Sequence, residues 1–97
     1  MNLNVKPLVI NSKLQNIVND IYKGQGGKGQ IGNGTMMDAI RNELKTEKRT
    51  KGKFHSKKAR LRVAGLENLI NSGKLNDQDK NIAKVLIKDI RKAISGH

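Results

Sequence analysis

Apolar residues recur at helical spacing in four stretches of this chain. Leu14, Ile17, Val18, Ile21 and Tyr22 fall at i, i+3, i+4, i+7 and i+8, the stripe of an amphipathic helix. That stretch opens at Ser12 as S-K-L-Q, with Gln15 three residues on, which predicts a capping box. Gly24 ends it. Met36 or Met37, Ile40 and Leu44 make a second, shorter stripe that fades by Thr46. Thr35 is its expected cap, with Asp38 at the third helical position. Ala59, Val63, Leu66 and Ile70, widened by Leu69, predict a helix over about Ser56–Ser72, closed by Gly73. Ile82, Leu86, Ile90, Ala93 and Ile94 predict the last helix, which ends at Gly96. Asn76 or Asp77 caps it, Asp77 and Asp79 suit its positive end, and Lys84, Lys88 and Lys92 lie outward.

Between these stripes the pattern breaks. Residues 3–10, LNVKPLVI, mix β-branched residues with Pro7, which predicts an edge strand or extended arm rather than a central strand. Residues 24–34 are glycine-rich and aperiodic, hence a loop. Residues 47–54, EKRTKGKF, are polar and charged, with Gly52 as a turn signal. The expected fold is mainly α: a single small domain of about four helices over residues 1–97, whose last two helices form an antiparallel hairpin. Residues 1–23 supply the N-terminal arm and first helix, residues 24–62 the working part, and residues 56–96 the hairpin scaffold.

Charge changes the picture. The 97 residues carry 20 Lys and Arg against 8 Asp and Glu, net +12. Residues 41–62 alone hold ten basic and two acidic groups, net +8. Such a block predicts a polyanionic or acidic partner. One Phe, one Tyr and no Trp leave few rings to stack on bases. Recognition should then rest on phosphates and shape, as with a folded RNA such as tRNA. With no Cys, disulfides and thiolate metal sites are excluded. No apolar run approaches the roughly 20 residues of a membrane span, and MNLNVKPLVI lacks the marks of a signal peptide.

Candidate chemistry concentrates in the middle of the chain. His55 sits in KGKFHSKKAR, inside the basic block at a helix entrance. Histidine is the side chain whose ordinary proton affinity lies nearest neutral pH, which suits a general base that deprotonates a 2′-OH for attack on the adjacent phosphate. Nearby Lys and Arg would stabilise the charge building on phosphorus. The rival role for His55 is a simple helix cap or phosphate contact. Thr35 opens a helix whose free N–H groups form an anion site, and Gly32 and Gly34 let the backbone approach. The rival reading is a flexible loop with an ordinary cap. Arg41 could reach the same anion or pair with Glu43 or Asp38. GGKGQIGNG matches a dinucleotide-binding fingerprint poorly, since no clear strand precedes it. No cluster of metal ligands is evident and no cofactor is expected.

The run GNGTMMDAIRNE, then TEKRTKGKFHSKK, then NDQDKNIAKVLIKDIRKAISG, resembles C-terminal toxin domains of bacterial polymorphic toxins. These domains end contact-dependent growth inhibition proteins and Bacillus LXG (YobL-like) proteins. The resemblance covers roughly Gly26 to Gly96. It is carried by the combination G-N-G-T-x-x-D-A-I-R-x-E and G-x-F-H-x-x-K, at Asn33, Thr35, Asp38, Arg41, Glu43, Phe54, His55 and Lys58. Glu47 departs from the glycine expected there. The resemblance implies a nuclease, acting on RNA, that is delivered as the C-terminal part of a larger secreted or cell-surface toxin. It implies action in the cytoplasm of a competitor cell and a cognate immunity protein. Charge complementarity would make that inhibitor acidic.

The sequence therefore predicts a metal-independent ribonuclease that does not insert into membranes. In this assignment His55 is the general base or acid, and Arg41 with Lys53 stabilises the transition state. Thr35 and the backbone of Gly32, Asn33 and Gly34 position a phosphate. Arg49, Lys51, Lys58 and Arg62 bind the RNA backbone, with Asp38 and Glu43 in support. The rivals are a metal-dependent deoxyribonuclease and a basic module that binds nucleic acid without cutting it.

Overall fold

The computed structural model describes residues 2–46 and 55–96, and among these it contains four helices and no strand. Helix α1 spans Ser12–Ile21, α2 Met36–Thr46, α3 His55–Asn71 and α4 Asp77–Ile94. The mainly helical fold with an α3–α4 hairpin is the one that the apolar periodicity predicts. Helix α2 packs on α3 and α4, and α1 packs on α3 and α2. One apolar cluster joins all four helices. At its centre Leu14, Val18, Ile40, Leu66, Leu86 and Ile90 are fully buried. Each such side chain contributes roughly 1.5–3 kcal/mol by leaving water, which is how a chain so poor in aromatic residues holds a core. Gly65 lets α1 and α3 approach closely, since a Cβ there would lie 3.2 Å from Ile17 Cδ1. Among the described residues no helix is long and apolar enough to cross a membrane.

Local chemistry shifts three expectations. The cap of α1 is Asn11, not Ser12: its side chain accepts from the N–H groups of Lys13 and Leu14, both at 3.0 Å. Gln15 does not complete a capping box but reaches forward to Asn19 Oδ1 at 2.9 Å. In α2 the inward positions are Met36, Met37, Ile40 and Glu43, while Leu44 is exposed. The acid takes the inner place because it caps the next helix.

The N-terminal segment is an arm rather than a strand. Its end is pinned by Asp79, a buried carboxylate in the first turn of α4. Asp79 accepts from Ile10 N at 3.1 Å and Asn11 N at 2.8 Å. Further back, Tyr22 Oη donates to Leu3 O at 2.7 Å, and Gln25 Nε2 to Asn4 O at 2.7 Å. Two edges of the fold thus hold the arm through its backbone, which an edge strand would have offered to a neighbour.

Candidate active site

A cleft of about 400 Å³ opens between the end of α1, the glycine-rich loop, the start of α2 and the start of α3. Its apolar wall is Ile31, Met36 and Ala39. Helix α3 supplies His55, Lys58 and Arg62, which at i, i+3 and i+7 share one helical face. Asp20 and Lys23 of α1 complete the lining, with Gly24, Gly34 and Thr35.

Glu43 organises the start of α3. It is 5% exposed. Its carboxylate accepts from the N–H of His55, from the N–H of Ser56 at 3.3 Å, and from His55 Nδ1 at 2.9 Å. The two backbone contacts cap the helix in place of the usual Ser, Thr, Asp or Asn. An ionised carboxylate only accepts, so Nδ1 carries the hydrogen and Nε2 is the ring nitrogen left for chemistry. One buried acid therefore fixes the backbone, the ring orientation and the tautomer of His55.

The glycine-rich loop folds on itself. Asn33 N donates to Asp38 Oδ2 at 2.8 Å, Gly34 N to Ile31 O at 2.9 Å, and Thr35 N to Asn33 Oδ1 at 2.9 Å. Thr35 Oγ1 donates to Asn33 Oδ1 at 2.5 Å and accepts from Asp38 N at 3.3 Å. Thr35 is the expected cap of α2, but its hydroxyl and the N–H groups of Asn33 and Gly34 are engaged within the loop. They shape the cleft wall and do not form an open cradle for a phosphate. Gly32 is required at φ +54, where a Cβ would sit 2.2 Å from Asp38 Oδ2. The loop is thus turn chemistry closed by Asp38.

Of the two roles open to Arg41, the structure shows the ion pair with Asp38. Arg41 is absent from the cleft lining, because Ala39 faces the cleft and two residues turn an α-helix by about 200°. Arg41 instead pairs with Asp38 at 2.9 Å and with Asp89 of α4 at 3.0 Å. The cleft lining that includes His55 does not include Arg41. Of the predicted phosphate-binding cations, Lys58 and Arg62 line the cleft. Arg49, Lys51 and Lys53, like Phe54, lie outside the described residues.

Sequence reasoning missed Asp20 and Lys23. At i and i+3 on the polar side of α1 they resemble any solvated surface pair, and nothing local signals that α3 lies opposite. Glu43 did carry a signal. An acid at the inward spacing Met36, Ile40, Glu43 must find partners or stay costly. Among the described residues no group of three or more His, Asp or Glu side chains is placed to hold a metal ion. Comparison with protein-family models, curated proteins and solved structures finds no match to this chain.

Proposed function

We propose that the chain is a ribonuclease module that cleaves RNA by transesterification, with His55 as general base and Glu43 as the group that orients it. The carrying observation is the Glu43–His55 contact beside Lys58 and Arg62 in one cleft. His55 Nε2 takes the proton of a 2′-OH, and the 2′-oxygen attacks the adjacent phosphorus. The bond from phosphorus to the 5′-oxygen breaks, and that oxygen takes a proton from Lys58 or water. The products are a 2′,3′-cyclic phosphate and a free 5′-OH. Lys58 and Arg62 stabilise the charge that grows on the phosphoryl oxygens. The resemblance of GNGTMMDAIRNE and GKFHSKK to motifs of toxin domains favours delivery as a toxin domain into a competitor's cytoplasm, with an acidic immunity protein as its inhibitor.

The test incubates purified protein with total RNA in EDTA, beside His55→Ala. General base catalysis is worth roughly 10²–10⁴-fold, so fragments should appear with the wild type and fall by that factor in the variant. Equal cleavage by His55→Ala removes the assignment. Intact RNA with the wild type, together with tight, salt-sensitive RNA binding, would mark a module that binds without cutting.

A further inference from the structure

Arg62 reaches the cleft with an incomplete set of partners. Its Nη2 contacts Asp20 Oδ2 at 2.9 Å, while its Nε is buried with no acceptor. A guanidinium binds best when two parallel N–H groups meet two oxygens of one anion. Asp20 supplies one oxygen. It is also the one carboxylate among the described residues lining the cleft, set against Lys23, Lys58 and Arg62.

We infer that Asp20 is an internal stand-in for a phosphate: its carboxylate holds the Arg62 guanidinium until a phosphate group displaces it. This rests on the reading that the cleft takes a phosphodiester. Three facts favour exchange. Asp20's side chain is 48% exposed, so the released carboxylate rehydrates at little cost, and exposed ion pairs are weak. A phosphate offers the two oxygens that Asp20 does not. Without Asp20, three cations would repel one another in the unliganded cleft, so the acid keeps Arg62 in place for the exchange. A weakly charged anion gains too little to displace Asp20, and the pair thereby selects for phosphate. Asp20 is a positioning residue that sets affinity and takes no part in proton transfer.

The experiment titrates inorganic phosphate, and separately a 2′-O-methyl RNA oligonucleotide, into the wild type, Asp20→Asn and Asp77→Asn. Asp77→Asn removes the same charge from the start of α4, outside the cleft lining. Asp20→Asn should bind both ligands roughly fivefold more tightly, the scale of one exposed ion pair. Asp77→Asn should change affinity less than twofold. In an Arg62→Gln background the gain from Asp20→Asn should disappear. With cleavable RNA, Asp20→Asn should lower KM with kcat unchanged. Equal gains in both Asp variants, a gain that survives Arg62→Gln, or weaker binding by Asp20→Asn would overturn the inference while leaving the cleft as a phosphate site. No binding of either ligand by any protein would remove the phosphate site and the inference together.

Discussion

Helix α2 carries a carboxylate cluster on each of two faces, and the two differ in how completely they are satisfied. On the face toward α4, Asp38 accepts from Arg41 and from the Asn33 N–H, and Arg41 also bonds Asp89. Each charge there meets an opposite charge or a backbone dipole within the fold. On the face toward α3, Glu43 is likewise saturated by two N–H groups and His55 Nδ1. Its partner is not, because an imidazole has a second nitrogen and His55 lines a cleft where cations outnumber acids. The first cluster ties the loop and α2 to α4. The second passes its order outward, to a group with chemistry left to do. Buried charge alone does not mark a site. A buried charge whose partner keeps an unused functional atom beside a cavity is a candidate for one.

The comparison is broken most directly at Glu43. Glu43→Gln keeps the shape but makes the side chain an amide, which donates as well as accepts and no longer enforces the Nδ1–H tautomer. RNA cleavage should fall about 100-fold, within the range of a lost acid–base arrangement. Stability should fall by about 1–2 kcal/mol through the weakened cap of α3. The double variant with His55→Ala should be no slower than His55→Ala alone, since the two act as a unit. Wild-type rates for Glu43→Gln would show that orientation of His55 has no bearing on turnover.

Arg41 tests the other face. Arg41→Ala removes two charge-assisted contacts and leaves Asp38 and Asp89 without that cation. Both acids are partly exposed, at 26% and 22%, so the expected cost is about 1.5–2 kcal/mol, the lower part of the range for such bonds. Urea unfolding should shift by that amount, while kcat for RNA cleavage stays within about twofold of the wild type. A 100-fold fall in kcat at unchanged stability would reverse the assignment of the two faces and restore Arg41 to the reaction.

The helices were legible because burial imposes a period. The spacing of Leu14, Val18 and Ile21, and of Ile82, Leu86 and Ile90, follows from one face meeting the core. Caps were legible where the chemistry is local, as at Thr35 and Asn76. The cap of α1 was misplaced by one residue because Asn11 and Ser12 are both good capping residues, and only the chain's entry angle separates them. The grouping of His55, Lys58 and Arg62 was readable from spacing along one helix. What faces that group was not. Asp20 and Lys23 come from α1, and the close α1–α3 approach at Gly65, a position that gives no periodic signal, brings the two helices together. For Arg41 the pair with Asp38 was open to the sequence, but charge near a motif does not report the side of the helix a side chain leaves from, so its absence from the cleft lining was not. The glycine-rich loop read as open because glycines permit close approach. The side chains of Asp38 and Asn33 use that permission to close the turn.

The smallest expected effect lies at Tyr22, which bonds the N-terminal arm and feels the charge of Asp89. Burial, and secondarily the charge of Asp89, pushes the Tyr22 phenol up to about 12, against about 10 in an unfolded chain. The folded protein therefore binds this proton more tightly than the unfolded one. The stabilisation it contributes is complete below about pH 10 and is lost as pH rises through about 12. Tyr22→Phe should cost about 1 kcal/mol at neutral pH, the value of one hydrogen bond, here the one given to Leu3 O. Above pH 10 the wild type should lose stability faster than the variant, so the gap between them narrows. Lysine deprotonation is common to both proteins and cancels in the difference, which urea unfolding at pH 8 to about 11.5 would follow. A gap that stays constant across that range would mean that the phenol proton is not tied to folding.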